Sequence, residues 1–274
     1  MLSGLRRKYS KLRDKIVRHD LASIISAQQY IKELQDNCGS EKRLEPAGFK
    51  VYSQNEEDGL IAEIFRRIGV TNRRFVEFGS GNGRENNTAW LLRQDWSGLW
   101  MDGGPKDGAV VQRHWANEIS RRRLIFRNAF ITADNIDSLL RQNDMVGEID
   151  LLSIDLDGND YHVWSAIEAI QPRVVCIEYN AKFPPPVEWV MPRNDSHVWD
   201  GSDWCGASLA ALEKLGRSKD YALVGTNITG LNAFFVRTAL AAGNFAEPFT
   251  VENHYHPPRY YLTPAFLAGH PPRL

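Results

Sequence analysis

Arg74-Phe75-Val76-Glu77-Phe78-Gly79-Ser80-Gly81-Asn82-Gly83-Arg84 is the stretch that decides the fold: a short apolar run that ends in closely spaced glycines. The apolar run predicts a buried β-strand, and the glycines predict a tight loop directly after it. Glycines in such a loop accept positive φ and let a ligand approach the backbone, while the residues that follow offer free N–H groups. The stretch therefore predicts a ligand site at the carboxyl end of a strand.

Apolar runs of the same kind alternate with helical periods along the chain after Tyr52. Further strands are predicted at residues 98–102, 124–127, 149–155 and 174–178. Helices are predicted between them, one ending at Gly69 and the others at residues 87–92, 112–120, 135–142, 161–170 and 209–215. Strands that alternate with helices form right-handed crossovers, so the sequence predicts a doubly wound α/β fold whose mostly parallel sheet is covered on both faces.

The last two predicted strands, residues 221–224 and 233–236, differ from the others in their connection. They are joined by a short turn-rich stretch at residues 225–230. A parallel crossover needs roughly a dozen residues or more, so this short connection favours antiparallel pairing. The sequence therefore predicts that an antiparallel strand ends the sheet.

The composition limits the classes of protein to consider. The chain has 274 residues and a formal net charge of −1, so no overall basic field favours a nucleic-acid partner. Its three cysteines, Cys38, Cys176 and Cys205, are far apart and suit a reducing compartment rather than a disulfide framework. The sequence opens without the apolar segment of a signal peptide and contains no run of about 18 apolar residues. We expect a cytoplasmic protein that is soluble or peripheral to a membrane.

The chain divides into three segments: a helical extension at residues 1–46, a main domain at 47–240 and a tail at 241–274 that we expect to wrap the surface. Within residues 1–20 there are seven Lys and Arg residues and two acidic ones. They accompany an apolar stripe at helical spacing, formed by Leu2, Leu5, Tyr9, Leu12 and Ile16. Such a helix fits a membrane surface, a partner helix, or a solvated helix packed on its own domain. A homo-oligomer is also left open.

Polar residues at the predicted strand ends indicate the ligand. Glu77 lies just before the glycine loop, where a carboxylate repels a phosphate and attracts an ammonium or sulfonium group. Arg84 stands where the dinucleotide fingerprint has its third glycine. Asp102 ends the second strand, where it can bind both ribose hydroxyls or serve as a turn acid beside Gly103. With Asn128 placed to face an adenine edge, these residues predict a nucleoside with a positively charged tail, which describes S-adenosylmethionine.

Four stretches carry a resemblance to a known family: Ser53-Gln54-Asn55-Glu56-Glu57-Asp58-Gly59, Phe75-Val76-Glu77-Phe78-Gly79-Ser80-Gly81, Leu152-Ser153-Ile154-Asp155-Leu156-Asp157-Gly158-Asn159-Asp160-Tyr161 and Gly230-Leu231-Asn232-Ala233-Phe234-Phe235-Val236-Arg237. Together they resemble FkbM-type class I methyltransferases, over roughly Tyr52 to Leu240. The resemblance implies a Rossmann-like, seven-stranded sheet with an antiparallel last strand. It also implies O-methylation of a sugar, glycan or other hydroxylated small molecule, with S-adenosylmethionine as the methyl donor.

The resemblance also implies roles for individual residues. Glu77, Gly79, Gly81 and Gly83 would hold the methionine part of the cofactor, and Asp102 the ribose. The full set of predicted cofactor-binding residues is Gln54, Glu77, Gly79, Ser80, Gly81, Gly83, Asn87, Thr88, Asp102, Asn128 and Asp155. At the fourth strand the sequence departs from the family, because Ser153-Ile154-Asp155-Leu156-Asp157-Gly158 replaces the common form Lys-Ile-Asp-Val-Glu-Gly.

Acidic residues gather after the fourth and fifth strands. Asp155 and Asp157 are two residues apart and share a face in extended chain, and Glu178 and Asn180 end the neighbouring strand. These oxygen ligands predict a site for Mg²⁺ or Ca²⁺, similar to that of catechol-type O-methyltransferases, although here Tyr179 separates the last two. Alternatively, the carboxylates share a proton, bind a cationic substrate, cap helices or bind the cofactor's amino group.

The predicted catalytic residues are Asp155, Asp157 and His162, which would accept a proton from the acceptor hydroxyl. A histidine on a helix surface without a catalytic task is the alternative for His162. The segment at 182–206 contains four prolines with Trp189, Trp199 and Trp204, and it should lie over the binding edge as a lid or be anchored to the core. Two other functions compete: a nicotinamide-dependent oxidoreductase, and a non-catalytic nucleotide-binding module that contacts a membrane or partner.

Overall fold

The computed structural model describes residues 23–104 and 106–262, which are built around one seven-stranded sheet. The strands are β1 (Arg74–Phe78), β2 (Ser97–Asp102), β3 (Leu124–Asn128), β4 (Gly147–Ile154), β5 (Ile170–Glu178), β6 (Tyr221–Thr226) and β7 (Asn232–Arg237). Their order is β3-β2-β1-β4-β5-β7-β6. The first five strands run parallel, and β7 lies antiparallel between β5 and β6. This is the order of the class I methyltransferase fold, so the predicted fold class is confirmed.

Helices cover both faces of the sheet. Within the described residues they are α1 (residues 23–36), α2 (Glu57–Ile68), α3 (Asp107–His114), α4 (Ala116–Ser120), α5 (Ile136–Gln142), α6 (Asp160–Ala166), α7 (Leu209–Ser218), α8 (Thr238–Ala241) and α9 (Val251–His254). Side chains of a strand alternate between two hydrophobic clusters, so Val76 and Phe78 join one while Phe75 joins the other. The two clusters fix the sheet and thereby the positions of its strand ends.

Three predicted helices have different bounds in the structure. Residues 87–92 form turns and a short 3-10 helix, Leu91–Gln94, because the Glu77 carboxylate takes the backbone N–H groups of Asn87 and Thr88. The helix predicted at 161–170 ends at Ala166, since Ile170 already begins β5. The helix predicted at 112–120 begins earlier and is interrupted at Trp115, which divides it into α3 and α4.

The segments outside the sheet domain contact it where they are described. The predicted amphipathic helix at residues 2–16 lies outside the described residues. In α1, the Gln35 side chain donates a hydrogen bond to the Gly48 carbonyl at 3.0 Å. At the other end, the carbonyls of His254 and His256 accept hydrogen bonds from Thr226 and Tyr179. Among the described residues, no helix combines the length and apolarity needed to cross a membrane.

A buried ion pair fixes the amino-terminal side of the sheet. Asp150 on β4 accepts hydrogen bonds from Arg173 on β5 at 2.8 Å and from the backbone N–H groups of residues 71–73. Both side chains are almost fully excluded from solvent. Burial raises the pKa of Asp150, but the hydrogen bonds from Arg173 and these N–H groups outweigh it, so the net pKa is lowered. Asp150 therefore stays charged and joins β4, β5 and the turn before β1.

We expect Asp150→Ala to lower the free energy of unfolding by about 3–5 kcal/mol, because it leaves the buried Arg173 charge without its carboxylate partner. Urea denaturation measures this change. The control is Lys214→Ala, which removes an exposed ion pair with Glu188 and should cost about 0.5 kcal/mol or less. Equal losses for the two variants would contradict this role for Asp150.

Candidate functional site

The glycine loop after β1 is wedged between the ends of two other strands. Gly79 has φ of +68°, its N–H donates to the Met101 carbonyl on β2, and a Cβ at this position would overlap the carbonyl oxygen of Asp155 after β4. Gly83 also has positive φ and packs against the Trp115 ring. Gly81 has φ of +47°, but no atom lies within 4 Å of a Cβ built on it. Gly79 and Gly83 thus hold the loop in place, while the space beside Gly81 is open.

Glu77, next to the end of β1, is buried beneath this loop. Its carboxylate accepts hydrogen bonds from the Asn87 N–H at 2.8 Å and from the Thr88 hydroxyl at 2.5 Å. Burial raises the pKa of Glu77 to about 7, and the hydrogen bonds from Thr88 and Asn87 oppose the shift. A cation placed next to Glu77 would favour its charged form.

Asp102 at the end of β2 is joined directly to the glycine loop. One carboxylate oxygen accepts the Gly81 N–H at 2.7 Å, and the other accepts the Gly104 N–H at 2.6 Å. Asp102 is thus a turn acid and also lies beside the predicted cofactor loop. Asn128 after β3 donates to the carbonyls of Asp102 and Gly104, so its amide N–H groups brace this turn.

A cavity of about 220 Å³ lies between the glycine loop and the sheet end. Its walls include predicted cofactor residues: Gln54, Glu77, Gly79, Ser80, Gly81, Asn87 and Asp155. The side chains of Ser80, Asn86 and Asn232 are each at least nine-tenths buried and also line it. The Ser80 hydroxyl, both amide atoms of Asn86 and the Oδ1 atom of Asn232 have no hydrogen-bond partner. Buried polar atoms normally have partners, so these four atoms fit a ligand that both donates and accepts hydrogen bonds.

Four predicted cofactor residues lie outside the lining of this cavity: Gly83, Thr88, Asp102 and Asn128. Thr88 is fully buried, and its hydroxyl joins Glu77 to the Trp100 ring nitrogen. Gly83 packs on Trp115, and Asn128 supports the turn at Asp102. Asn87 does line the cavity, but its amide donates to the Ser153 hydroxyl at 3.1 Å. Thr88 and Asn87 therefore position the strand end and Glu77.

A second cavity of about 460 Å³ adjoins the first, and Gln54, Glu85 and Asp155 line both. Its polar side is formed by acids at the ends of β4 and β5. Its outer wall contains the exposed rings of Trp199 and Tyr260. The two cavities therefore form one site with a smaller compartment at the glycine loop and a larger one beside the acids.

Asp155, Asp157 and Glu178 each offer an oxygen within 4.8 Å of the others. The carboxyl groups of Asp155 and Glu178 hydrogen-bond each other. Burial and the neighbouring carboxylates raise the pKa of both groups well above their usual range. Burial and Asp102 raise the pKa of Asp157 against the opposing effect of His197. This arrangement favours one proton shared between Asp155 and Glu178.

The remaining predicted site residues are occupied elsewhere. The Asn180 amide donates to the carbonyls of Asp203 and Cys205, and its Oδ1 accepts the Lys182 N–H, so it supports the loop after β5. His162 lines neither cavity, and its Nε2 lies 2.8 Å from the Met191 carbonyl. All four predicted metal ligands line the larger cavity, and three of them, Asp155, Asp157 and Glu178, have oxygens within 4.8 Å of one another.

Three buried acids at residues 56–58 form a network that the sequence patterns did not indicate. Asp58 accepts hydrogen bonds from the backbone N–H and hydroxyl of Ser53. Glu57 accepts from the amides of Asn227 at 2.7 Å and Asn232 at 2.9 Å. The network ties the segment before α2 to the turn between β6 and β7, and thereby places Gln54 at the two cavities. The motif Ser53–Gly59 was visible in the sequence, but its partners come from the far end of the chain.

We expect Gly79→Ala to lower the midpoint of thermal unfolding strongly, because its methyl group would overlap the Asp155 carbonyl and require movement of backbone. Gly81→Ala is the matched control, since it places a side chain at a positive φ where the surrounding space is open, and it should cost about 1–3 kcal/mol at most. Differential scanning calorimetry compares the two variants. A Gly79→Ala protein as stable as Gly81→Ala would contradict the close approach of β1 and β4.

No family model and no curated protein matches this sequence. Similar solved structures include an S-adenosylmethionine-dependent methyltransferase from Clostridium acetobutylicum, with 10% identity, coverage of 77% of this chain and 96% of that chain, and a TM-score of 0.42. Another is the O-methyltransferase from Bacillus cereus in complex with SAH, with 14% identity, coverage of 78% of this chain and 89% of that chain, and a TM-score of 0.43. Neither similarity assigns an activity to this chain, and the FkbM-type subfamily remains a prediction.

Proposed function

We propose that this chain is an S-adenosylmethionine-dependent methyltransferase that O-methylates a hydroxylated small molecule or glycan. One observation carries the proposal: Asp102 contacts the open Gly81 position beside a cavity that contains Glu77 and four buried polar atoms without partners. Carboxylates and unpartnered acceptors suit the ammonium and sulfonium groups of this cofactor, and Asp102 suits its ribose.

The charge of the site distinguishes this function from that of a nicotinamide-dependent oxidoreductase. Glu77, Glu85 and Asp155 line the compartment beside the glycine loop, where a dinucleotide would place its diphosphate. Like charges at such distances repel, and the repulsion increases as water is excluded. The oxidoreductase is therefore the less favoured alternative.

When bound, the cofactor supplies a methyl group on a positively charged sulfur for an in-line displacement. The chain contributes alignment and a place for the acceptor's proton. With one proton shared between Asp155 and Glu178, the pair would retain a negative charge that can accept a second proton from an alcohol. Asp157 lies next to this pair and can do the same. His162 has no part in proton transfer in this proposal, and it supports the loop at 182–206 through its contact with the Met191 carbonyl.

The same three carboxylates are compatible with Mg²⁺ or Ca²⁺, which prefer oxygen ligands. A metal would replace the proton between Asp155 and Glu178 and could lower the pKa of a bound hydroxyl. The hydrogen bond between these two carboxyls accounts for their proximity with a proton alone. We therefore propose proton sharing as the first account of the cluster and the metal as the second.

We expect Asp102→Asn to weaken binding of S-adenosylhomocysteine by about tenfold or more, as expected when a charged hydrogen-bond acceptor is lost. Glu178→Gln is the control, because Glu178 lines only the larger cavity, and it should change the affinity by less than about threefold. Isothermal titration calorimetry measures both, with NADH as a second ligand. Unchanged affinity in Asp102→Asn, or tighter binding of NADH, would refute the proposed cofactor site.

Removal of divalent metal should leave S-adenosylhomocysteine binding unchanged, because a shared proton needs no metal at the carboxylate cluster, which reaches the cofactor cavity through Asp155. The same calorimetric titration in EDTA and in MgCl₂ checks this. If the affinity falls in EDTA and returns with MgCl₂, the cluster binds metal, and proton sharing is the wrong account.

A further inference from the structure

We propose that the acceptor carries a positively charged group, such as an ammonium, held in the larger cavity between its carboxylates and the rings of Trp199 and Tyr260. This inference rests on the proposed function, because it names the substrate class of the same site. The acceptors that fit are amino alcohols and amino sugars, in which a hydroxyl lies a few bonds from an ammonium group.

The first support is the charge of the cavity wall. Among the described residues that line it, the acids are Glu85, Asp155, Asp157, Glu178 and Asp203, and the base is Lys182. The Lys182 ammonium is paired with the Asp203 carboxylate. The wall therefore carries more carboxyl groups than cationic groups. An acceptor with a phosphate or carboxylate would meet repulsion there, while a cation would be attracted.

The second support is the pair of exposed aromatic rings at the outer wall. Trp199 is 52% exposed and Tyr260 is 43% exposed, and neither ring packs on another aromatic ring among the described residues. The Trp199 ring nitrogen donates to the Ser202 carbonyl, which fixes the edge of the ring. Aromatic faces beside carboxylates are the usual environment for binding a substituted ammonium group.

The neighbouring loop residues differ from Trp199, because they pack on other aromatic rings and lie outside the cavity lining. Trp189 stacks on Phe183 with ring centroids 4.3 Å apart, and Trp204 meets the Trp189 ring edge-on. These rings anchor the loop at residues 182–206 and do not line the cavity. Only part of the aromatic loop is therefore used for anchoring, and Trp199 remains available to a ligand.

The volume of the larger cavity agrees with a small acceptor. At about 460 Å³ it falls within the usual range for small-molecule sites. Asp155 lines both cavities, so an acceptor in the larger one would lie next to the cofactor compartment. The cationic group would then bind at the aromatic wall while the hydroxyl reaches the Asp155 and Glu178 pair.

The test compares choline with 3,3-dimethylbutan-1-ol, an uncharged alcohol of the same shape. Binding to the full chain is measured by ligand-observed NMR titration in EDTA, after addition of S-adenosylhomocysteine at a saturating concentration. We expect choline to bind at least about tenfold more tightly, because the two ligands differ only in charge. A site governed by apolar contact alone would favour the uncharged alcohol instead.

Two variants locate the binding. Trp199→Ala should weaken choline binding by about fivefold or more through loss of the cation–π contact. Trp204→Phe is the matched control in the same loop, because Trp204 lies outside the lining, and it should bind choline as the unchanged chain does. Both residues are more than half exposed, so loss of the fold is not expected in either case.

The outcomes separate the inference from the function on which it rests. A chain that binds S-adenosylhomocysteine but does not prefer choline, or that loses choline equally in both variants, overturns the inference and leaves the cofactor proposal intact. A chain that fails to bind S-adenosylhomocysteine in calorimetry but prefers choline through Trp199 overturns the cofactor proposal and supports the cation site. Undetectable binding of both alcohols overturns the inference.

Discussion

The close approach of Gly79 to the carbonyl oxygen of Asp155 is the contact on which the site depends. It joins the end of β1 to the end of β4, and only a residue without a side chain permits it. The same loop reaches β2 through the hydrogen bond between Gly81 and Asp102. Three strand ends are therefore fixed relative to one another. As a result, the carboxylates that follow these strands surround two adjoining cavities instead of being spread along the sheet edge.

Much of the fold is predictable from the sequence because apolar runs and glycine loops are local signals. The seven strands lie close to their predicted positions, and the short β6–β7 connection correctly indicates antiparallel pairing. The errors occur where a distant group changes local structure. The Glu77 carboxylate accepts hydrogen bonds from the backbone N–H groups of residues 87 and 88, so the helix expected there does not form. The sequence predicts the fifth strand only from residue 174, because proline is uncommon inside strands. In the structure β5 begins at Ile170, and Pro172 pairs with Ile149 of β4.

The site is less predictable than the fold, because its members come from distant parts of the chain. Strand-end acids such as Asp102 and Asp155 follow from topology alone. The orientation of Asn180 toward its own loop and the tie between His162 and Met191 depend on how the segment at 182–206 packs. Tyr260 carries no sequence signal. The overall charge of −1 also conceals the local excess of carboxylates at the site.

The most direct test of the central claim is a crystal structure of the chain with S-adenosylhomocysteine. Our account predicts that the ribose hydroxyls hydrogen-bond the Asp102 carboxylate and that the amino acid part lies among Glu77, Ser80 and Asn232. The sulfur should face the larger cavity beside Asp155. A ligand bound elsewhere, or one whose ribose lies beyond the reach of Asp102, would contradict the account.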